Sequence, residues 1–102
     1  MSIERIQILS DAESDLYKGK AFYDKQGKHI GDYFFGSLLS DIESLAIYAG
    51  IHTKEFGFYR MLAKRFPYAI YYDLKDMVAS VVAVLPMRKN PVWIETKMGG
   101  RR

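Results

Sequence analysis

Basic and aromatic side chains are the residues of this sequence whose types and spacing could do chemistry. Arg60, Lys64 and Arg65 surround one apolar run, Arg88 and Lys89 follow another, and Trp93 stands just beyond. Arginine forms paired hydrogen bonds to phosphate and carboxylate oxygens, and an indole adds a flat anchoring surface, so such a group suits an anionic or acidic macromolecule. Strand alternation puts Arg60 and Lys64 on one side of a sheet. A simple meander would then bring Arg88 and Lys89 back toward them. The same charges also serve simply to keep sheet edges from pairing. Tyr68, Tyr71 and Tyr72 read first as core, and as a stacking platform only where exposed.

Other chemistries find little support. His29 and His52 are the only histidines, and neither has a partner at metal-ligand spacing. There is no cysteine, which removes disulfides and thiolate zinc sites. Neither a phosphate-cradling glycine loop nor a nucleophile elbow is present, so no metal and no cofactor is expected. Charge is uneven along the chain. Residues 1–53 hold five Lys/Arg against eight acids, and residues 54–102 hold ten against four. The basic half implies an anionic partner.

These groups need a scaffold, and the composition supplies one. With 49% hydrophobic and 26% charged residues the chain reads as a folded domain. No apolar run approaches the roughly 18 residues of a membrane span, and the first residues lack a signal-peptide pattern, so a cytoplasmic protein without a membrane partner is expected. The domain is expected over 1–95, followed by a flexible basic tail, 96–102, ending Gly99-Gly100-Arg101-Arg102.

Ile3 to Leu9 reads as a short strand. Ser10-Asp11-Ala12-Glu13 then predicts a capping box opening a helix whose buried stripe is Ala12, Leu16, Gly19 and Tyr23. Gly19 marks a close helix crossing. A second helix, with Asp32 as N-cap, carries Phe35, Leu38, Ile42, Leu45 and Ala49 on one face and stops at Gly50. The short polar turn between the helices makes them an antiparallel hairpin. Three strands follow: Phe58 to Ala63, Tyr68 to Leu74, and Met77 to Leu85, the last two linked by Lys75-Asp76. Beyond them the chain reads as a polar, basic turn. The expected architecture is α+β: an N-terminal strand, a helical hairpin and a three-stranded antiparallel meander. The helices cover one sheet face and leave the other partly open.

The run Arg60-Met61-Leu62-Ala63-Lys64-Arg65-Phe66-Pro67-Tyr68-Ala69-Ile70-Tyr71-Tyr72, followed by Ala83-Val84-Leu85-Pro86-Met87-Arg88-Lys89-Asn90-Pro91, resembles the RelE/ParE toxin superfamily. Ala12-x-x-Asp15-Leu16 and Phe35-x-x-x-Leu39-x-x-x-Glu43 extend that resemblance over nearly the whole chain. The resemblance implies the toxin of a type II toxin–antitoxin (plasmid stabilisation) module, held by a cognate antitoxin in a hetero-oligomer. Tyr33, Phe34 and Tyr48 are the candidate lining of the antitoxin groove. RelE-like members cut mRNA on the ribosome with basic side chains; ParE-like members bind and poison DNA gyrase. Here Leu62, Ala69, Met87 and Trp93 stand where RelE nucleases have Lys, Arg, Arg and Tyr, and Pro86 replaces a common histidine. Those departures favour the ParE-like inhibitor, with Arg60, Lys64, Arg65, Arg88, Lys89 and Trp93 as target contacts. The alternatives are a ribosome-dependent endoribonuclease using Arg60, Lys64 and Arg88, and a degenerate, non-toxic accessory that binds the antitoxin.

Overall fold

The computed structural model describes residues 3–102. In chain order the elements are β1 (Arg5–Ile8), α1 (Ser10–Asp24), α2 (Ile30–Glu43), a single turn α3 (Leu45–Tyr48), β2 (Lys54–Glu55), β3 (Phe58–Leu62), β4 (Tyr68–Lys75), β5 (Val78–Pro86) and α4 (Pro91–Gly99). They form one five-stranded sheet in the order β1-β5-β4-β3-β2. The expected meander is present as β3, β4 and β5, all antiparallel. Two strands extend it: β1 lies parallel to β5, and the two-residue β2 pairs with β3.

Alternation within β4 and β5 sorts side chains between two cores. Tyr68, Ile70 and Tyr72 of β4, with Ala79, Val81 and Val84 of β5, face the helical hairpin and pack on Leu16, Phe34, Leu38, Ile42 and Leu45. Ala69 and Tyr71, with Val82, Ala83 and Leu85, face the other way. A bulge between Tyr71 and Tyr72 places Val82 and Ala83 together on that second face.

The hairpin crosses closely at Gly19. A Cβ there would lie 2.5 Å from Phe34 Cε2, so only glycine admits the buried Phe34 ring. Phe34, not Phe35, is the residue at the centre of the α2 stripe, fully buried while Phe35 is half-buried. The capping box does not form. Ser10 is already inside the helix, Leu9 is the N-cap, and the Glu13 amide donates to the Leu9 carbonyl. Asp32 likewise lies in the first turn of α2 rather than at its cap, which is His29. The β4–β5 link is shifted by one residue. Lys75 pairs with Val78, and Asp76 and Met77 form the turn, both with positive φ, as a two-residue hairpin loop requires.

Two departures from the sequence reading matter for the site. The second sheet face is not left open: α4 packs on it, with Met98 fully buried and Trp93 and Ile94 against Tyr71, Val82 and Leu85. Within residues 96–102, expected as a flexible tail, α4 runs on to Gly99 with Met98 buried, and Arg101 reaches across to α1 while Thr96, Gly99, Gly100 and Arg102 are exposed. Asn90-Pro91 is the local reason. The Asn90 side chain accepts from the Val92 amide and Pro91 takes the first helical position, where its missing N–H costs nothing.

Candidate functional site

β1 ends at Ile8 opposite Val81, whereas β5 runs on to Pro86. The outer edge of β5 is therefore unpaired from Val82 onward, and its polar groups need other partners. Asp15 of α1 accepts from the Val84 amide at 2.9 Å. Arg101 donates to the Val82 carbonyl at 2.9 Å and grips Asp15 with two bonds, of 2.7 and 2.9 Å. At Pro86 the edge carries no N–H at all. The Asp15–Arg101 pair is nearly buried, with side-chain exposures of 6% and 11%. Bonding to Asp15 raises the Arg101 pKa further, so the guanidinium stays charged.

Above this closed edge, between α1, the end of β5 and α4, lies a cleft of about 510 Å³. Phe22, Tyr23, Tyr68, Val84 and Leu85 give it an apolar floor, and Trp93 stands at its wall. Four cations, Lys18, Arg88, Lys89 and Lys97, line the same space. The one acid there, Asp15, is neutralised by Arg101. The Lys89 and Lys97 ammoniums each stand 5.4 Å from the Trp93 ring centroid, within cation–π range. Burial, aided by the neighbouring Tyr23 and Asp15, pushes the Tyr68 phenol up to about 12. It is therefore a neutral hydrogen-bonding group at physiological pH.

Arg88, Lys89 and Trp93 thus come together, joined by Lys18 and Lys97, which sequence spacing did not single out. Lys97 follows Trp93 by one helical turn, a signal that becomes readable once α4 is recognised. Arg60, Lys64 and Arg65 do not join them. Arg60 sits on β3 opposite Tyr71, itself opposite Ala83. Reaching Pro86 from there takes about 10 Å across the strands and about 10 Å along them. Arg60 instead pairs with Glu55, Nε to Oε2 at 3.4 Å. β3 ends at Leu62, so alternation no longer governs Lys64. It lines a shallower hollow with Tyr48, Ile51, His52 and Met61, on the hairpin side of the sheet, away from Arg60. Arg65 is exposed in the loop before β4.

Of the candidate antitoxin residues, Tyr33 and Tyr48 are more than half-exposed or nearly so (57% and 50%), and Phe34 is buried completely. Phe34 is a correction: its ring fills the Gly19 crossing and lines no groove. In the hollow beside Tyr48 the Tyr72 hydroxyl accepts from the Gly50 amide and lies 2.5 Å from His52 Nδ1. Burial lowers the His52 pKa, so the imidazole is neutral and Tyr72 donates to it. Among the described residues no group of three or more His, Cys, Asp or Glu is placed to hold a metal ion, and no helix is long and apolar enough to cross a membrane.

No family model and no curated protein sequence matches the chain. Among solved structures it is similar to a chain described as "Chromosomal ParDE TA system from P. aeruginosa". The TM-score is 0.76 over 84% of this chain and 98% of the other, at 12% sequence identity. The overall path of the chain is therefore shared while most residues differ. The α+β fold of this chain is the RelE/ParE-like fold.

Proposed function

We propose that this chain is the toxin of a type II toxin–antitoxin module, a ParE-like growth inhibitor that acts in the cytoplasm by binding DNA gyrase and is neutralised by its cognate antitoxin. The observation that carries this reading is the cleft in which Arg88, Lys89 and Trp93 converge with Lys18 and Lys97 on a ParE-like scaffold. Its chemistry is that of binding. The cations hold an anionic or acidic surface, the apolar floor supplies anchoring area, and the phenol in reach stays protonated near neutral pH. A nuclease built on Arg60, Lys64 and Arg88 would need those three around one scissile phosphate. Their spread over the sheet weighs against it.

The test uses purified chain in two reactions, gyrase supercoiling of plasmid and translation of a defined mRNA. Inhibited supercoiling with accumulated double-strand breaks and intact mRNA is the expected result. Codon-linked mRNA cuts with normal supercoiling would replace this reading with the ribosome-dependent endoribonuclease. Inactivity in both would leave an antitoxin-binding accessory.

A further inference from the structure

Away from the cleft, exposed apolar side chains gather around the hollow on the hairpin side of the sheet. Ile51 is 72% exposed, Leu62 52% and Tyr48 50%, and all three line the hollow. Ile47, also 72% exposed, precedes Tyr48 on α3. Single exposed apolar residues are ordinary; a contiguous group of them marks an interaction site. The loop that carries Ile51 is pinned on both sides. The Gly50 amide donates to the Tyr72 hydroxyl at 2.9 Å, and the same hydroxyl meets His52 Nδ1. Tyr72 is itself fully buried and stacked on Tyr59, with ring centroids 5.1 Å apart. Ile51 is thus held out to solvent by fixed backbone, and docking it costs little ordering entropy.

Charge decides what covers this surface. The hollow holds one acid, Asp41, and one base, Lys64, so its net charge is zero. The Asp41 carboxylate accepts from the Lys64 amide at 3.0 Å, but the Lys64 ammonium enters no ion pair among the described residues. A strongly acidic or strongly basic partner gains little from such a surface. A second copy, brought in about a two-fold axis, meets a neutral apolar face whose unlike charges are free to face its own. The cleft cannot serve in that way, because its four cations would repel their own copies.

We infer that the chain forms a weak isologous dimer through this hollow, with Tyr48, Ile51 and Leu62 of each copy packed on those of the other. Together with Ile47 these side chains offer roughly 400–500 Å² of apolar surface per copy. A standard stable interface takes about 800 Å² per partner, so the dimer is transient, with a dissociation constant on the order of 10–100 µM. The hollow lies on the β3 side of the sheet and the cleft on the β5 side, so pairing leaves the cleft open. Dimerisation is therefore independent of what the cleft binds.

Sedimentation equilibrium of the full chain, from about 1 µM to about 500 µM, tests this. The expected result is a reversible rise from the mass of one chain to that of two. Ile51→Glu and Leu62→Glu, at exposed positions, each weaken the association at least tenfold, with circular dichroism confirming that both remain folded. Should Ile51→Glu fail to fold, Leu62→Glu carries the test. Lys64→Glu makes the hollow acidic and weakens pairing more at low salt than at high salt. Arg88→Glu/Lys89→Glu, in the cleft, associates as the parent chain does. A single-chain mass at every concentration overturns the inference. So does a dimer that survives both hollow variants, which would seat the copies elsewhere, such as on the outer edge of β1. Growth beyond two chains overturns it as well, since an isologous contact closes at the dimer.

Discussion

Replacing Asp15 with alanine removes three bonds at once: two to Arg101 and one to the Val84 amide. It leaves a guanidinium that is only 11% exposed facing an unpaired strand edge. Breaking a buried ion pair by deleting one partner costs about 3–5 kcal/mol, much of it from the stranded charge and the orphaned amide. Arg101 retains a path to water, which favours the lower end, about 3 kcal/mol. For a domain of this size that is a fall of roughly 15 °C in melting temperature. Arg101→Ala is milder, about 2 kcal/mol, because Asp15 keeps the Val84 amide. The two share a bond pair, so the double variant is expected to lose less than the sum by at least about 1.5 kcal/mol. Urea denaturation followed by circular dichroism gives the energies, and Trp93 emission reports whether α4 stays docked. Additive losses, or a loss below about 1 kcal/mol for Asp15→Ala, would refute the claim that this pair fastens α4 to α1 across the β5 edge.

Gly19→Ala is expected to destabilise by about 1–3 kcal/mol in the same denaturation assay, since the new methyl meets the buried Phe34 ring. Phe34→Ala should cost about 3–5 kcal/mol, whereas Tyr33→Ala, at an exposed neighbour, should stay within about 1 kcal/mol. Burial depresses the His52 pKa below its unfolded value of 6.5. The native state thus favours the neutral ring. Stability is full above pH 6.5 and declines as pH falls through the depressed folded value, with a slope of at most about 1.4 kcal/mol per pH unit. His52→Gln should flatten that slope between pH 7 and 5, measured by urea midpoints.

The hairpin and the meander were legible because their signals are local and periodic. Alternating aromatic and β-branched residues mark β4 and β5, and Gly19 marks the crossing. What stayed hidden depends on contacts distant in sequence. The parallel pairing of β1 with β5 leaves no local trace, and neither does the pairing of Asp15 with Arg101, 86 positions apart. Helix α4 was obscured because its sequence mixes Trp93, Ile94 and Met98 with Glu95 and Lys97, and only the Asn90-Pro91 start announces it. For the site, Arg88, Lys89 and Trp93 were recoverable because six residues of chain hold all three. Arg60 was misplaced because a meander brings strands side by side without bringing their ends to one level. Phe34 was misread because neighbouring Phe34 and Phe35 both fit a broad apolar stripe, and only packing on Gly19 decides between them.

The most direct test of the cleft is growth in bacteria expressing the chain alone, compared with its Arg88→Glu/Lys89→Glu and Arg60→Glu variants after all three are verified as folded. Arrest by the parent chain and by Arg60→Glu, with normal growth under the double cleft variant, is the expected pattern. Arrest that survives the cleft reversal but disappears with Arg60→Glu would place the acting surface elsewhere on the sheet and contradict the account.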